Sequence, residues 1–93
     1  MVGILALEAK PYDATPLSNR SLCWARLQDG DRALSDARAF RELKPDWAKG
    51  CYREGVAWNV LKKFDRAADA FCDGLKMDPE NKELKDAFQL SYT

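Results

Sequence analysis

The sequence predicts an all-α fold, a stacked array of antiparallel helix pairs. Three observations carry this. Pro11, Pro45 and Pro79 stand 34 residues apart. The same interval relates Trp24 to Trp58, Leu27 to Leu61, Asp31 to Asp65, Arg32 to Arg66, Ala33 to Ala67 and Ala14 to Ala48, and Leu43 is answered by Met77. Between the prolines, apolar residues recur at helical spacing. A period of this length marks a helix-pair repeat, in which each unit buries its apolar face only against its neighbours.

The register divides the chain into a remnant of a preceding unit (1–13), two full units (14–47 and 48–81) and a capping helix (80–93). In the remnant, Ile4 to Lys10 should end an earlier helix, and Ile4, Leu5 and Leu7 should shield the open N-terminal end of the array. In the first unit Thr15 is a suitable N-cap and Pro16 suits the first helical position, where no N–H is lost. Leu17, Trp24 and Leu27 then define a helix to about Leu27 or Gln28. Asp29-Gly30-Asp31 reads as the turn, its acids suited to the start of the next helix. That helix carries Ala33, Leu34, Ala37, Phe40 and Leu43. Pro45 ends it, because the residue before a proline is driven out of the helical region.

The second unit repeats the plan. One helix runs from about Trp47 to Leu61 with Tyr52, Val56 and Trp58; Lys62-Lys63 is the turn; Phe64 leads into a helix with Ala67, Ala68, Phe71, Leu75 and Met77, closed by Pro79. A last helix from Glu80 to about Leu90 carries Leu84, Ala87, Phe88 and Leu90 and covers the final unit, as a repeat array requires. Ser21 and its counterpart Gly55 are small where paired helices must approach closely.

Composition excludes several functions. Fifteen basic residues balance fifteen acidic ones, and the chain has no histidine. Nucleic-acid and membrane-surface binding need a basic surplus, and His-dependent catalysis and zinc sites are removed outright. No nucleophile has a base partner and no Gly-rich phosphate loop exists, so neither an enzyme nor a cofactor is expected. Cys23, Cys51 and Cys72 lack metal-ligand spacing and read as small buried or half-buried thiols in a reducing compartment. No apolar run reaches the ~20 residues of a membrane span, and the expected location is the cytoplasm. The Asn19-Arg20-Ser21 triplet falls within a helix and is not read as a glycosylation site. Trp24 and Trp58 recur in register as core residues, and Trp47 reads as packing between units.

The pattern resembles the tetratricopeptide repeat, whose small and aromatic positions are matched by Ser21, Trp24, Ala33, Phe40 and Pro45, then by Gly55, Trp58, Ala67, Phe71 and Pro79. A pentatricopeptide RNA-binding array has a similar period but not this proline register. The resemblance implies a right-handed superhelix with a concave groove. Residues 17–21 and 44–53 are similar to the second and third repeats of chaperone-binding tetratricopeptide domains. The stretch from Ser18 to Gln89 is most similar to plant proteins joining ankyrin and tetratricopeptide repeats. In the chaperone-binding domains, five side chains clamp the two carboxylates of the C-terminal Asp of a heat-shock chaperone ending Glu-Glu-Val-Asp. Asn19, Lys49 and Arg53 match three of them. The other two, a lysine and an asparagine, belong to a helix that the register places before residue 1.

The spacing is compatible with this chemistry. Lys49 and Arg53 are four apart and share a helix face. Asn19 and Arg53 are 34 apart and occupy equivalent places in adjacent units. Arg can hold a carboxylate bidentately, Lys as a point charge, and Asn through its NH₂. Ser18, Leu22, Tyr52, Val56 and Asn59 are further expected groove contacts. The alternative expectation is a scaffold segment of a larger ankyrin–tetratricopeptide protein, with self-association through residual apolar surface.

Overall fold

The computed structural model describes residues 13–92, as five α-helices: α1 (Thr15–Arg26), α2 (Gly30–Leu43), α3 (Ala48–Val60), α4 (Phe64–Met77) and α5 (Lys82–Tyr92). The expected helix end at Ile4–Lys10, the shielding side chains Ile4, Leu5 and Leu7, and Pro11 lie outside these residues. Consecutive helices pack as antiparallel neighbours, and α1 also touches α3. The helices α1 and α3 form one layer and α2 and α4 the other. Because α2 and α4 do not pack on each other to the same degree, the array curves with α1 and α3 on its inner side.

The caps explain where each helix begins, and they correct three boundaries. Thr15 is inside α1 rather than its cap; Ala14 holds the cap position, and the Thr15 N–H donates to Asp13 Oδ1 at 2.9 Å. The first turn is made by residues 27–29, not by Asp29-Gly30-Asp31. Asp29 caps α2, its Oδ1 accepting the Arg32 N–H at 3.1 Å, and Gly30 is already helical. The last helix starts at Lys82 rather than Glu80, because Asn81 Oδ1 accepts the Leu84 N–H at 3.0 Å and fixes the first turn there.

Both long turns close the same way. The N–H of Asp29 reaches back to the Trp24 carbonyl, and that of Gln28 to Ala25; Lys63 and Lys62 do the same to Trp58 and Asn59. Paired bonds of this kind are a Schellman cap and demand a left-handed residue. Gln28 and Lys62 supply it, each at φ 62°.

The core consists of small helix-contact residues with phenylalanines between them: Ala33, Ala37, Phe40, Cys51, Ala57, Ala67, Phe71 and Leu84 are fully buried. Ser21 is buried and its Oγ donates to the Ala33 carbonyl at 2.8 Å, so the small position is a close approach as predicted. At Gly55 the approach is tighter: a Cβ there would collide with the Phe71 ring. Phe40 and Phe71, read from sequence as equivalent, are not. Phe71 stands 34 residues from Ala37, and Phe40 stands 34 from Gly74. The first unit therefore has Ser21 and Ala37 at the places of Gly55 and Phe71 and carries its ring one turn later, where Phe40 meets Trp47 at 5.2 Å between ring centres.

Two ion pairs lock the layers. Arg20 binds Asp36 through two hydrogen bonds of 2.8 and 3.0 Å, which raise the guanidinium pKa further. Between units, Arg41 donates to Glu54 at 2.9 Å, and the other oxygen of Glu54 accepts the indole N–H of Trp58 at 3.1 Å. Arg38 and Arg66 both lie over this tryptophan, 5.4 and 5.1 Å from its ring centre.

Candidate functional site

The inner layer is built by α1 and α3, and the predicted site residues lie on these two helices. Arg53 is half-buried. Its Nε donates to Ser18 Oγ at 2.9 Å, across the junction between units. This bond corrects the role expected of Ser18. The serine is 1% exposed, so it does not line an open groove; it orients the arginine beside it. The bond uses one of five guanidinium donors. Among the described residues the Nη groups of Arg53 have no hydrogen-bond partner, so they remain available to a carboxylate.

Lys49 lies one turn before Arg53 and is exposed, its Nζ 5.5 Å from the centre of the Trp47 ring. Asn19, next to Ser18 on α1, is exposed as well. Leu22, Tyr52, Val56 and Asn59 are half-buried. Val56 and Tyr52 pack against the core as well as facing outward, so they form a firm floor rather than mobile contacts. The carboxamide oxygen of Asn59 is buried and has no hydrogen-bond partner among the described residues.

A cavity of about 340 Å³ opens on the far side of Lys49, between the start of α3 and the junction of α4 and α5. Lys49 and Tyr52 line it, with Trp47, Met77 and the carboxylates of Asp46, Asp78 and Glu83. Asn19 and Arg53 do not. Trp47 and Met77 are 42% and 38% exposed, so aromatic and thioether surface is presented at its wall. Trp47 packs between units on Phe40, as expected, yet also faces this cavity. Burial raises the phenol pKa of Tyr52, the charge of Glu83 raises it further, and Arg53 opposes both. Sequence reading passed over Asp46, Asp78 and Glu83, although one signal was present: Glu83 stands 34 residues after Lys49 and reverses its charge.

The cysteines divide. Cys51 is buried, and burial pushes its thiol pKa up. Cys72 is half-buried, but Cys23 is exposed, contrary to expectation, because it falls on the solvent side of α1. Among the described residues no helix is long and apolar enough to cross a membrane, and no cluster of His, Cys, Asp or Glu could hold a metal ion.

No model of a known protein family matches the sequence. Curated relatives do. The chain is 42% identical over 84 residues to the protein STIP1 homolog of Dictyostelium discoideum, covering 90% of this chain and 15% of that protein. It is 49% identical over 67 residues to the heat shock protein sti1 homolog of Schizosaccharomyces pombe, covering 72% of this chain and 11% of that protein. The chain thus spans a small part of the relatives it matches. Among solved structures, the first TPR of Spaghetti (RPAP3) bound to the HSP90 peptide SRMEEVD superposes with a TM-score of 0.86 at 24% identity, covering 97% of this chain and 71% of that one. The second TPR domain of human RPAP3 in complex with the HSP70 peptide SGPTIEEVD gives a TM-score of 0.87 at 22% identity, covering 98% and 76%. At these identities the superpositions establish the fold.

Proposed function

We propose, from the premise that this chain belongs to the tetratricopeptide repeat family, that it is a protein-binding module whose inner groove takes the acidic C-terminal peptide of a cytosolic heat-shock chaperone. The observation that carries the proposal is the guanidinium of Arg53, tied at Nε to Ser18 with no hydrogen-bond partner at Nη among the described residues, one turn from exposed Lys49. Two cations and the Asn19 amide then meet the terminal carboxylate and the Asp side chain. The relatives named as sti1 and STIP1 homologs, and the fold shared with domains solved around Glu-Glu-Val-Asp peptides, support the same partner class.

The test is a titration of a labelled Glu-Glu-Val-Asp-ending peptide by fluorescence anisotropy. Each charge-assisted hydrogen bond contributes roughly 1.5–3 kcal/mol, against about 8 kcal/mol for micromolar binding. Three clamp residues should therefore give saturable but weak binding. Lys49→Ala/Arg53→Ala should abolish it, and amidation of the peptide terminus should weaken it as much. Equal binding by the double variant would remove the clamp from consideration.

A second reading, a scaffold segment packed on a neighbouring domain or a second copy, is favoured by Leu27 and Phe64, which are 71% and 52% exposed at the turn edge of the array. Light scattering tests it. A strictly monomeric chain at high concentration would count against self-association.

A further inference from the structure

The clamp accounts for one side of Lys49. On its other side, the cavity between α3 and the α4–α5 junction has a composition that the clamp does not use. Asp46, Asp78 and Glu83 contribute three carboxylates against the single charge of Lys49. Trp47 and Tyr52 contribute two aromatic rings, and both rings already lie near cations: Lys49 over Trp47 at 5.5 Å and Arg53 over Tyr52 at 5.7 Å. Aromatic faces rimmed by carboxylates form a receptor for a cationic side chain, since both the ring quadrupole and the negative rim favour it. The rim repels an acidic residue by the same charges.

Charge also sets the direction of a bound peptide. The cations that would hold a terminal carboxylate lie at the α1–α3 step, and the surplus of carboxylates lies at the α3–α5 step. A chain whose last residue is held by Asn19, Lys49 and Arg53 therefore runs upstream toward α5. One interhelix step of ~10 Å takes about three extended residues at ~3.3 Å each, and a long cationic side chain reaches back over one or two more.

Resting on the clamp reading, we infer that this cavity is a specificity subsite for an Arg or Lys lying about three to five residues upstream of the docked terminus. The chain should accordingly favour SRMEEVD, which carries such an arginine, over SGPTIEEVD, which carries no cation.

The experiment uses the 93-residue chain and three labelled peptides, SRMEEVD, SAMEEVD and SGPTIEEVD, titrated against wild type, Glu83→Gln and Arg53→Ala. Glu83 is exposed, so its neutral isostere leaves the fold intact, which circular dichroism verifies. Wild type should bind SRMEEVD about fivefold more tightly than SAMEEVD or SGPTIEEVD. Glu83→Gln should remove most of that preference, so that this variant binds SRMEEVD and SAMEEVD nearly equally. Equal affinity for SRMEEVD and SAMEEVD, with both lost in Arg53→Ala, overturns the subsite and leaves the clamp standing. An arginine preference that survives Glu83→Gln likewise overturns it. Absence of saturable binding by any peptide overturns both.

Discussion

Ser18 on α1 accepts a hydrogen bond from Nε of Arg53 on α3 at 2.9 Å, so one unit sets the plane of the guanidinium carried by the next. The bond joins stability to recognition. Loss of the hydroxyl would free the arginine to rotate and leave a half-buried donor without its partner.

Ser18→Ala should cost about 1 kcal/mol of stability in urea unfolding. It should also weaken an acidic peptide roughly three- to tenfold, less than removal of Arg53 itself. A variant that loses stability but keeps full affinity would show that the bond braces the helices without presenting the side chain.

The close approach at Gly55 predicts a coupled pair. Gly55→Ala should destabilise by about 1–3 kcal/mol, because the new methyl meets the Phe71 ring. Phe71→Ala alone should cost about 3–5 kcal/mol through its cavity. The double variant, which approaches the Ser21 and Ala37 arrangement of the first unit, should be more stable than the sum of the two losses predicts. A thermodynamic cycle measures this coupling, and strict additivity would contradict the contact.

Gln28 and Lys62 hold left-handed turn conformations that side chains disfavour. Gln28→Gly and Lys62→Gly should each stabilise the chain by about 0.5–1 kcal/mol, since glycine takes the cap without strain. Thermal unfolding should show each midpoint rising by several degrees.

The thiols should separate by reactivity. Exposed Cys23 should react rapidly with a thiol reagent near pH 8, whereas Cys51 should react only on global unfolding, monitored by mass spectrometry. The native pKa of Cys51 is raised by burial, so its contribution is fully present below the unfolded thiol value of about 8.5 and is lost as pH rises through the native one. The stability gap between wild type and Cys51→Ala should therefore narrow as pH rises above about 9.

Periodicity made the five described helices and their pairing legible, because the prolines, alanines and tryptophans repeat whatever else changes. It was less informative where the repeat is broken by exchange. Phe40 and Phe71 look equivalent in a list of aromatics, yet lie one turn apart in register: the ring packed on Gly55 is Phe71, whose place in the first unit is held by Ala37. Asn81 and Asp29 set helix starts through single side-chain bonds, which compete with neighbouring Asp and Thr residues of similar propensity. For the site, spacing brought Lys49 and Arg53 to one face, but it could not separate Ser18, a buried acceptor, from an exposed contact. The acidic cavity escaped notice because its lining is drawn from two stretches distant in sequence, residues 46–52 and 77–83.

Trp58 is 9% exposed, flanked by Arg38 and Arg66 and hydrogen-bonded to Glu54, whereas Trp47 is 42% exposed at the wall of the cavity. The chain consequently contains its own optical gauges. Emission from the first reads whether the two units remain docked, and emission from the second reads what enters beside Lys49. Replacing Trp24 and one of these at a time would let folding and occupancy be followed separately in an unlabelled protein.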